Sequence, residues 1–116
     1  MSDSGKRFFT EFISDYFAEC EEHLARVRRD LLALENLVNQ GRMDVTLGNN
    51  LLRSFHTIKG LSGMVGQKEA QELAHEMESY LRALLRNQGR HSVAGQDALV
   101  HGLRALEQVL AAARDG

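Results

Sequence analysis

The sequence contains no proline, and it has one cysteine among its 116 residues. Without proline, no position is barred from the interior of a helix. Cys20 cannot form a disulfide bond within the chain, and it lies among apolar residues at helical spacing, so we interpret it as a small buried side chain. No apolar run approaches the roughly 20 residues of a membrane-spanning helix, and the N-terminus lacks the apolar stretch of a signal peptide. These absences predict a soluble, cytoplasmic domain that does not contact a membrane.

An excess of positive charge is also missing. The chain has 14 Lys and Arg residues against 16 Asp and Glu residues, which gives a formal net charge of −2. A protein that binds nucleic acid usually carries surplus positive charge to neutralise the phosphate backbone. We therefore expect no nucleic-acid partner.

What the chain does contain favours helix. It has 17 leucines and 12 alanines, but only 7 valines, 2 isoleucines and 3 threonines. Leucine and alanine lose little side-chain freedom in a helix, whereas β-branched residues lose more. The length suits one hydrophobic core rather than two, so we predict a single domain over residues 1–116.

Apolar residues recur every three or four positions in four stretches, which keeps them on one face of a helix. In the first stretch this pattern begins at Phe9, and Gly41 is its stop signal. A polar loop from Asn87 to Gly95 precedes the last stretch. The predicted helices span about 6–39, 47–62, 67–87 and 96–113. Because their connections are short, the predicted fold is all-α, an antiparallel up-down four-helix bundle.

The second predicted helix has a polar face opposite its apolar one. A rotation of about 100° per residue places His56 some 140° from the buried Leu51, and Lys59 and Gly60 lie on the same outward side. Gly63 follows one turn later. A glycine inside a helix costs about 1 kcal/mol relative to alanine, so two of them beside an exposed histidine suggest close approach of another molecule. Imidazole and ammonium groups together suit the handling of an anion, although each alone is an ordinary surface residue.

The third predicted helix carries His75 and Glu78 on one flank, three residues apart. They are either a polar pair at the edge of the bundle or partners of the second helix. In the second case, Glu78 would accept a hydrogen bond from one ring nitrogen of His56 and leave the other free as a nucleophile.

Metal binding is not expected. The remaining histidines have no companion at ligand spacing, and we predict that they are solvated: His23, His91 and His101. A di-metal site in a helical bundle needs inward-facing carboxylates from several helices together with paired Glu-x-x-His segments. This sequence has a single His-x-x-Glu segment, in the reverse order.

The segment from Phe55 to Gly66, FHTIKGLSGMVG, resembles the pattern of histidine phosphotransfer (HPt) domains, which is His-x-x-Lys-Gly with a second glycine shortly after. The segment from His75 to Glu78 resembles the His-x-x-Glu of the N-terminal phosphotransfer domain of chemotaxis-type histidine kinases. Its spacing from His56 also matches that subfamily. Leu61 departs from the pattern, because many relatives carry a small residue there.

The resemblance implies a role for each matching residue. His56 would be the phosphoacceptor, modified at Nε2, and Glu78 would hydrogen-bond the Nδ1 side of its ring and activate it. Lys59 would stabilise the phosphoryl oxygens, and His75 would support the local polar network. The resemblance also implies that Gly60 leaves room for a partner domain. The predicted partner surface further includes Gly63 and Arg53; Arg53 lies one turn before His56 and could meet an acidic partner, although an exposed arginine is also an ordinary surface residue.

The implied partners are the ATP-binding domain of a histidine kinase and the receiver domain of a response regulator. ATP and magnesium would be bound by those domains, and this chain holds no phosphate-binding glycine loop, so no cofactor of its own is expected. The chain would be a phosphocarrier within a protein-histidine kinase rather than a catalyst by itself. Two alternatives remain open: a free-standing HPt protein of a multistep phosphorelay, and a helical docking module that is not phosphorylated. The start at Met1 and the His75–Glu78 pair favour the kinase domain over the free-standing protein.

Overall fold

The structure, a computed structural model, describes residues 3–86 and 89–116. Its four helices are α1 (Asp3–Glu35), α2 (Val45–Val65), α3 (Lys68–Arg86) and α4 (Val93–Asp115). Each helix packs against two neighbours, so that α1 lies between α2 and α4, and α3 lies across the bundle from α1. The predicted all-α, antiparallel four-helix bundle is confirmed. No described helix combines the length and the hydrophobicity needed to cross a membrane.

Local signals set both ends of α2. The Asp44 side chain accepts a hydrogen bond from the backbone N–H of Leu47 at 2.8 Å and caps the first turn. At the other end Gly66 adopts a left-handed conformation with φ of 77°, where glycine has no steric penalty. As a result α2 is longer than the predicted 47–62. Its predicted apolar face is buried, at Leu51, Phe55, Ile58 and Ser62.

The end of α1 differs from the prediction. The helix stops at Glu35 rather than near Asn39, and the chain then turns toward the α3–α4 loop. There the Asn39 N–H donates to the His91 carbonyl oxygen at 2.8 Å, and the Met43 N–H donates to that of Gly89 at 3.0 Å. These contacts between two loops satisfy backbone groups that a longer helix would have paired within itself.

The last two predicted helices also shift. The predicted end of the third helix at Asn87 lies outside the described residues, and α3 is described to Arg86. The fourth helix starts at Val93, three residues before its predicted start. Ser92 explains the earlier start, because its side chain accepts a hydrogen bond from the Gly95 N–H at 3.0 Å and caps the helix.

The first turns of α1 extend beyond the bundle. This helix has 33 residues, whereas α4, the longest of the other three, has 23. The first buried side chain of α1 is Tyr16, while Phe8 is 73 % exposed and Phe9 is 54 % exposed. The predicted burial of Phe9 is therefore wrong, because no neighbouring helix reaches far enough to cover it. From Tyr16 onward α1 is anchored, and the Tyr16 hydroxyl lies 2.7 Å from the buried Ser62 hydroxyl of α2.

Candidate functional site

His56 stands on the outer side of α2. Its neighbours Phe55 and Ile58 are fully buried, which orients α2 in the bundle and turns His56 away from the core. The imidazole side chain is 63 % exposed. It is therefore accessible to another molecule, while the backbone that carries it is held by core packing.

A carboxylate from α3 lies beside this ring. Glu78 Oε1 is 2.9 Å from His56 Nδ1, and Oε2 of the same carboxylate is 2.7 Å from Lys59 Nζ. Arg82 completes the group, since its Nη2 donates to Glu78 Oε1 at 2.7 Å. The Glu78 side chain is only 1 % exposed. A nearly buried carboxylate is thus surrounded by an imidazole, an ammonium group and a guanidinium group; we call these four residues the Glu78 cluster.

The surroundings of Glu78 keep it ionised. Burial by itself would raise the pKa of this carboxyl, but the contacts with Lys59 and with His56 outweigh that effect and lower the pKa from 4.5 to about 2. An ionised carboxylate can only accept hydrogen bonds. The short contact therefore requires that His56 Nδ1 carries a proton, and in the neutral imidazole Nε2 then has a free lone pair.

The Lys59 ammonium occupies a position between carboxylate and solvent. Its side chain is about one-quarter exposed, and its Nζ forms an ion pair with Glu78 Oε2 at 2.7 Å. The ammonium group can also reach an anion attached to the neighbouring imidazole, because residues three apart on a helix are adjacent.

The two predicted surface glycines differ. A Cβ atom built on Gly60 would meet nothing within 4 Å, whereas one on Gly63 would lie 2.9 Å from Nε2 of the Gln71 side chain. A side chain at Gly63 would thus require the Gln71 amide to move, whereas a Cβ at Gly60 meets no atom of the described part of the chain. Arg53 is exposed, and its side chain lies toward α1 rather than in the Glu78 cluster.

His75 lies outside the cluster. It is exposed on α3, and its side chain makes no hydrogen bond or ion pair with any residue between 3 and 86 or between 89 and 116. Its supporting role stays a prediction. Arg82 was missed, although the spacing could have revealed it, since a glutamate followed four residues later by an arginine is a typical helical ion pair.

The predictions for two of the other histidines need correction. His91 is buried rather than solvated, because the contact between the two loops encloses it, and its Nε2 lies 2.6 Å from Gln96 Oε1. His23 is only 13 % exposed at its side chain, since it packs between α1 and α2. His101 is exposed, as predicted. In the described residues no three His, Cys, Asp or Glu side chains are grouped so that they could hold a metal ion.

Leu61 is half-buried rather than part of an open surface. It packs against the core on the α1 side of α2, where it lines an apolar pocket with Tyr16 and Met64. The leucine at this position therefore serves the contact between α1 and α2.

Comparison with known proteins agrees with the geometry. The chain is 32 % identical over 101 residues to the chemotaxis protein CheA of Rhizobium meliloti (strain 1021), which covers 87 % of this chain and 13 % of the relative. It is 27 % identical over 106 residues to the chemotaxis protein CheA of Bacillus subtilis (strain 168), or 91 % of this chain and 15 % of that protein. The chain thus spans about one-seventh of the length of the curated relatives it matches.

No solved structure shows a significant match. The family of Hpt domains matches residues 11–116, which include α1 from Glu11 onward, the other three helices and every member of the Glu78 cluster. Within that match lies an exposed histidine on the second helix of a four-helix bundle. A carboxylate of the third helix holds this histidine at Nδ1. The chain belongs to the Hpt domain family, the phosphotransfer domains of two-component signalling.

Proposed function

We propose that His56 carries a phosphoryl group from the ATP-binding domain of a chemotaxis-type histidine kinase to an aspartate of a response-regulator receiver domain. The observation that supports this most directly is the contact of 2.9 Å between His56 Nδ1 and the ionised Glu78. In the neutral imidazole this contact leaves Nε2 unprotonated on an exposed ring, which is what a nucleophile toward phosphorus requires.

In the first step, His56 Nε2 attacks the γ-phosphorus of ATP. The Nε2–P bond forms as the bond from phosphorus to the bridging oxygen breaks, and ADP leaves with that electron pair. The ring gains positive character, which Glu78 stabilises through the retained Nδ1–H bond. Lys59 faces the negative oxygens of the transferred group, and phosphoryl transfer depends mainly on positioning and on such charge stabilisation.

In the second step, a carboxylate oxygen of the receiver aspartate attacks the same phosphorus. The Nε2–P bond breaks, and its electron pair returns to the ring, so His56 is neutral again with its proton still at Nδ1. The partner domains bind ATP and magnesium, and this chain supplies the carrier group. We infer a cytoplasmic location, because both partners and ATP must reach the exposed ring.

The kinase that phosphorylates His56 would belong to the same polypeptide. The similarity to CheA proteins over most of this chain favours this arrangement over a free-standing phosphorelay protein. In the third reading, a docking module without phosphorylation, His56 has no chemical role.

The deciding experiment measures acid-labile, base-stable phosphate in the chain after incubation with radiolabelled ATP and a chemotaxis-type kinase core. We expect label in the wild type and a complete loss of label in His56→Gln. His101→Gln is the matched control, because His101 is an exposed histidine on α4 and should retain full labelling. Equal labelling of His56→Gln and the wild type would exclude the proposed function and favour a docking module.

A further inference from the structure

A groove runs between α1 and α2, on the side of α2 away from the Glu78 cluster. Its volume is about 230 Å³, and four of its lining side chains carry or can carry positive charge: His23, Arg26, Arg29 and Arg53. Among the described residues of the lining, Asp30 is the acidic one. We call this surface the basic groove.

Most of the positive charge in the groove is not compensated by residues 3–86 or 89–116. Asp30 lies 3.8 Å from Nε of Arg29, so this carboxylate faces one of the three arginines. Glu19 approaches His23, at 3.9 Å. The guanidinium groups of Arg26 and Arg53 make no ion pair with any residue in the described ranges.

Two arginines elsewhere in the described bundle are compensated. Arg28 contacts Glu21 at 2.8 Å and Glu107 at 2.7 Å, and Arg82 contacts Glu78 at 2.7 Å. The formal net charge of the whole chain is −2. A pair of unpaired arginines in one groove of an acidic protein is therefore a local excess of positive charge, and such an excess attracts acidic surfaces.

The basic groove adjoins the reactive ring. Arg53 lies one turn before His56 on α2, which places the two side chains next to each other on the helix surface. Gly60 lies one turn after His56, on the same outward side of α2. A Cβ atom there would meet nothing within 4 Å. A partner centred on His56 can therefore lie against bare backbone at Gly60 on one side of the ring and against Arg53 and the groove on the other.

We infer that the basic groove docks the acidic rim of the receiver domain that accepts the phosphoryl group; this inference rests on the proposed function. The acceptor is an aspartate, and the carboxylates that hold magnesium around it make the facing surface acidic. Guanidinium groups bind carboxylates through two parallel hydrogen bonds, so Arg26 and Arg53 suit such a surface better than lysines would.

The receiver is favoured over the kinase as the partner of the basic groove, because the two partners reach His56 in different ways. Under the proposed function the kinase domain belongs to the same polypeptide, so it is present at high effective concentration and needs little docking energy. The receiver is a separate molecule that must be captured from solution. Unpaired surface charge increases the rate of such an encounter, and salt weakens the effect.

The test measures phosphoryl transfer from the phosphorylated chain to a separately purified receiver domain. This receiver is chosen from a panel of receiver domains as the one that accepts the phosphoryl group fastest from the wild type. The test variant combines Arg26→Glu and Arg53→Glu. We expect its kcat/KM for transfer to fall at least tenfold at low ionic strength, mainly through KM. We also expect added salt to slow the wild type but to have little effect on the variant.

The matched control is Arg104→Glu, which makes the same change of charge at an exposed arginine of α4, a helix that does not contact α2. It should transfer at the wild-type rate. An unchanged kcat/KM in the test variant, or an equal loss in Arg104→Glu, would overturn the inference.

Phosphorylation of the test variant by the kinase core is measured in parallel. A slower kinase step together with an unaltered receiver step would assign the groove to the kinase, and that result also overturns the inference. If the wild type itself forms no phosphohistidine, the proposed function fails first, and this outcome is distinguished from a docking failure because it appears before any receiver is added.

Discussion

The two flanks of α2 differ in whether their charged side chains have partners of opposite charge. On the flank toward α3, the Glu78 carboxylate is 1 % exposed and has three partners within 3 Å. On the flank toward α1, the guanidinium groups of Arg26 and Arg53 have no acidic partner in the described chain. Compensated charge orients and tunes groups within a protein, whereas uncompensated charge acts on other molecules. We therefore assign reactivity to the first flank and recognition of the receiver to the second.

The largest effect that distinguishes the flanks is expected in the pH dependence of stability. Contacts with Lys59 and His56 outweigh burial and lower the pKa of Glu78 from 4.5 to about 2. A carboxyl with a lowered pKa in the folded state contributes stability that is complete above its unfolded pKa and is lost as the pH falls toward the folded value. The shift corresponds to about 3 kcal/mol of unfolding free energy, lost between about pH 4.5 and pH 2.

Urea unfolding of the wild type and of Glu78→Gln at pH 6, pH 4 and pH 3 measures this contribution. The difference between the two proteins should be greatest at pH 6 and should shrink as the pH falls. A difference that stays constant over this range would show that the cluster does not stabilise the ionised form of Glu78. Arg104→Glu, which changes no partner of Glu78, should not reproduce the pH dependence.

A second effect concerns the intrinsic reactivity of His56, measured without any docking partner. With phosphoramidate as a small phosphodonor, Glu78→Gln should slow phosphorylation about tenfold, because the neutral amide holds the Nδ1–H tautomer less firmly. Arg82→Ala should slow it less than threefold, since Lys59 still faces the carboxylate and exposed ion pairs contribute under about 1 kcal/mol.

The ¹⁵N chemical shifts of the His56 ring separate this role from a merely structural one. We expect the Nδ1–H form to lose population in Glu78→Gln, with the helical circular dichroism unchanged at pH 7. Equal phosphorylation rates in Glu78→Gln and the wild type would remove the activating role of Glu78. A larger loss of phosphorylation rate in Arg82→Ala than in Glu78→Gln would show that Arg82, rather than Glu78, has the greater effect on the reactivity of His56.

The smallest effect concerns the glycines between the flanks. Gly60→Ala should raise the unfolding free energy by about 0.5–1 kcal/mol, because alanine favours the helix and its Cβ would meet nothing within 4 Å. Gly63→Ala should gain less, because its Cβ would lie 2.9 Å from the Gln71 side chain, which must move. Urea unfolding of both variants checks the order, and an equal or larger gain in Gly63→Ala would contradict it.

Gly60→Ala has a second expected consequence. If a partner approaches the backbone there, the more stable protein should transfer its phosphoryl group more slowly. The two measurements together would show that a glycine is retained at this position at a cost in helix stability.

Helical periodicity was a good guide where neighbouring helices cover the apolar face. The face of α2 that includes Phe55 and Ile58 is fully buried, as the spacing of three and four predicts. The same spacing was wrong at Phe9, which is exposed because α1 is longer than the helices beside it. Periodicity describes the direction of a side chain around its own helix, and it carries no information about whether another helix is present in that direction.

The candidate site shows a similar limit. A rotation of about 100° per residue was enough to place His56 and Lys59 on one outer face. That Glu78 belongs beside them came from a resemblance to a family, and its burial and its three contacts came from the structure. The resemblance also groups His75 with this cluster, but His75 is exposed on α3 and has no hydrogen bond or ion pair among the described residues, although spacing alone places it beside Glu78.

The amino-acid sequence by itself determined the number of helices, the direction of each apolar face and the outward direction of His56, because these depend on residues within a few turns of one another. Tertiary structure decided which charges are compensated. Glu78 lies 22 residues from His56 along the chain, and the basic groove joins residues of α1 to residues of α2. Such distances depend on how whole helices pack, so no local pattern shows that one flank of α2 is neutralised from within while the other retains its positive charge.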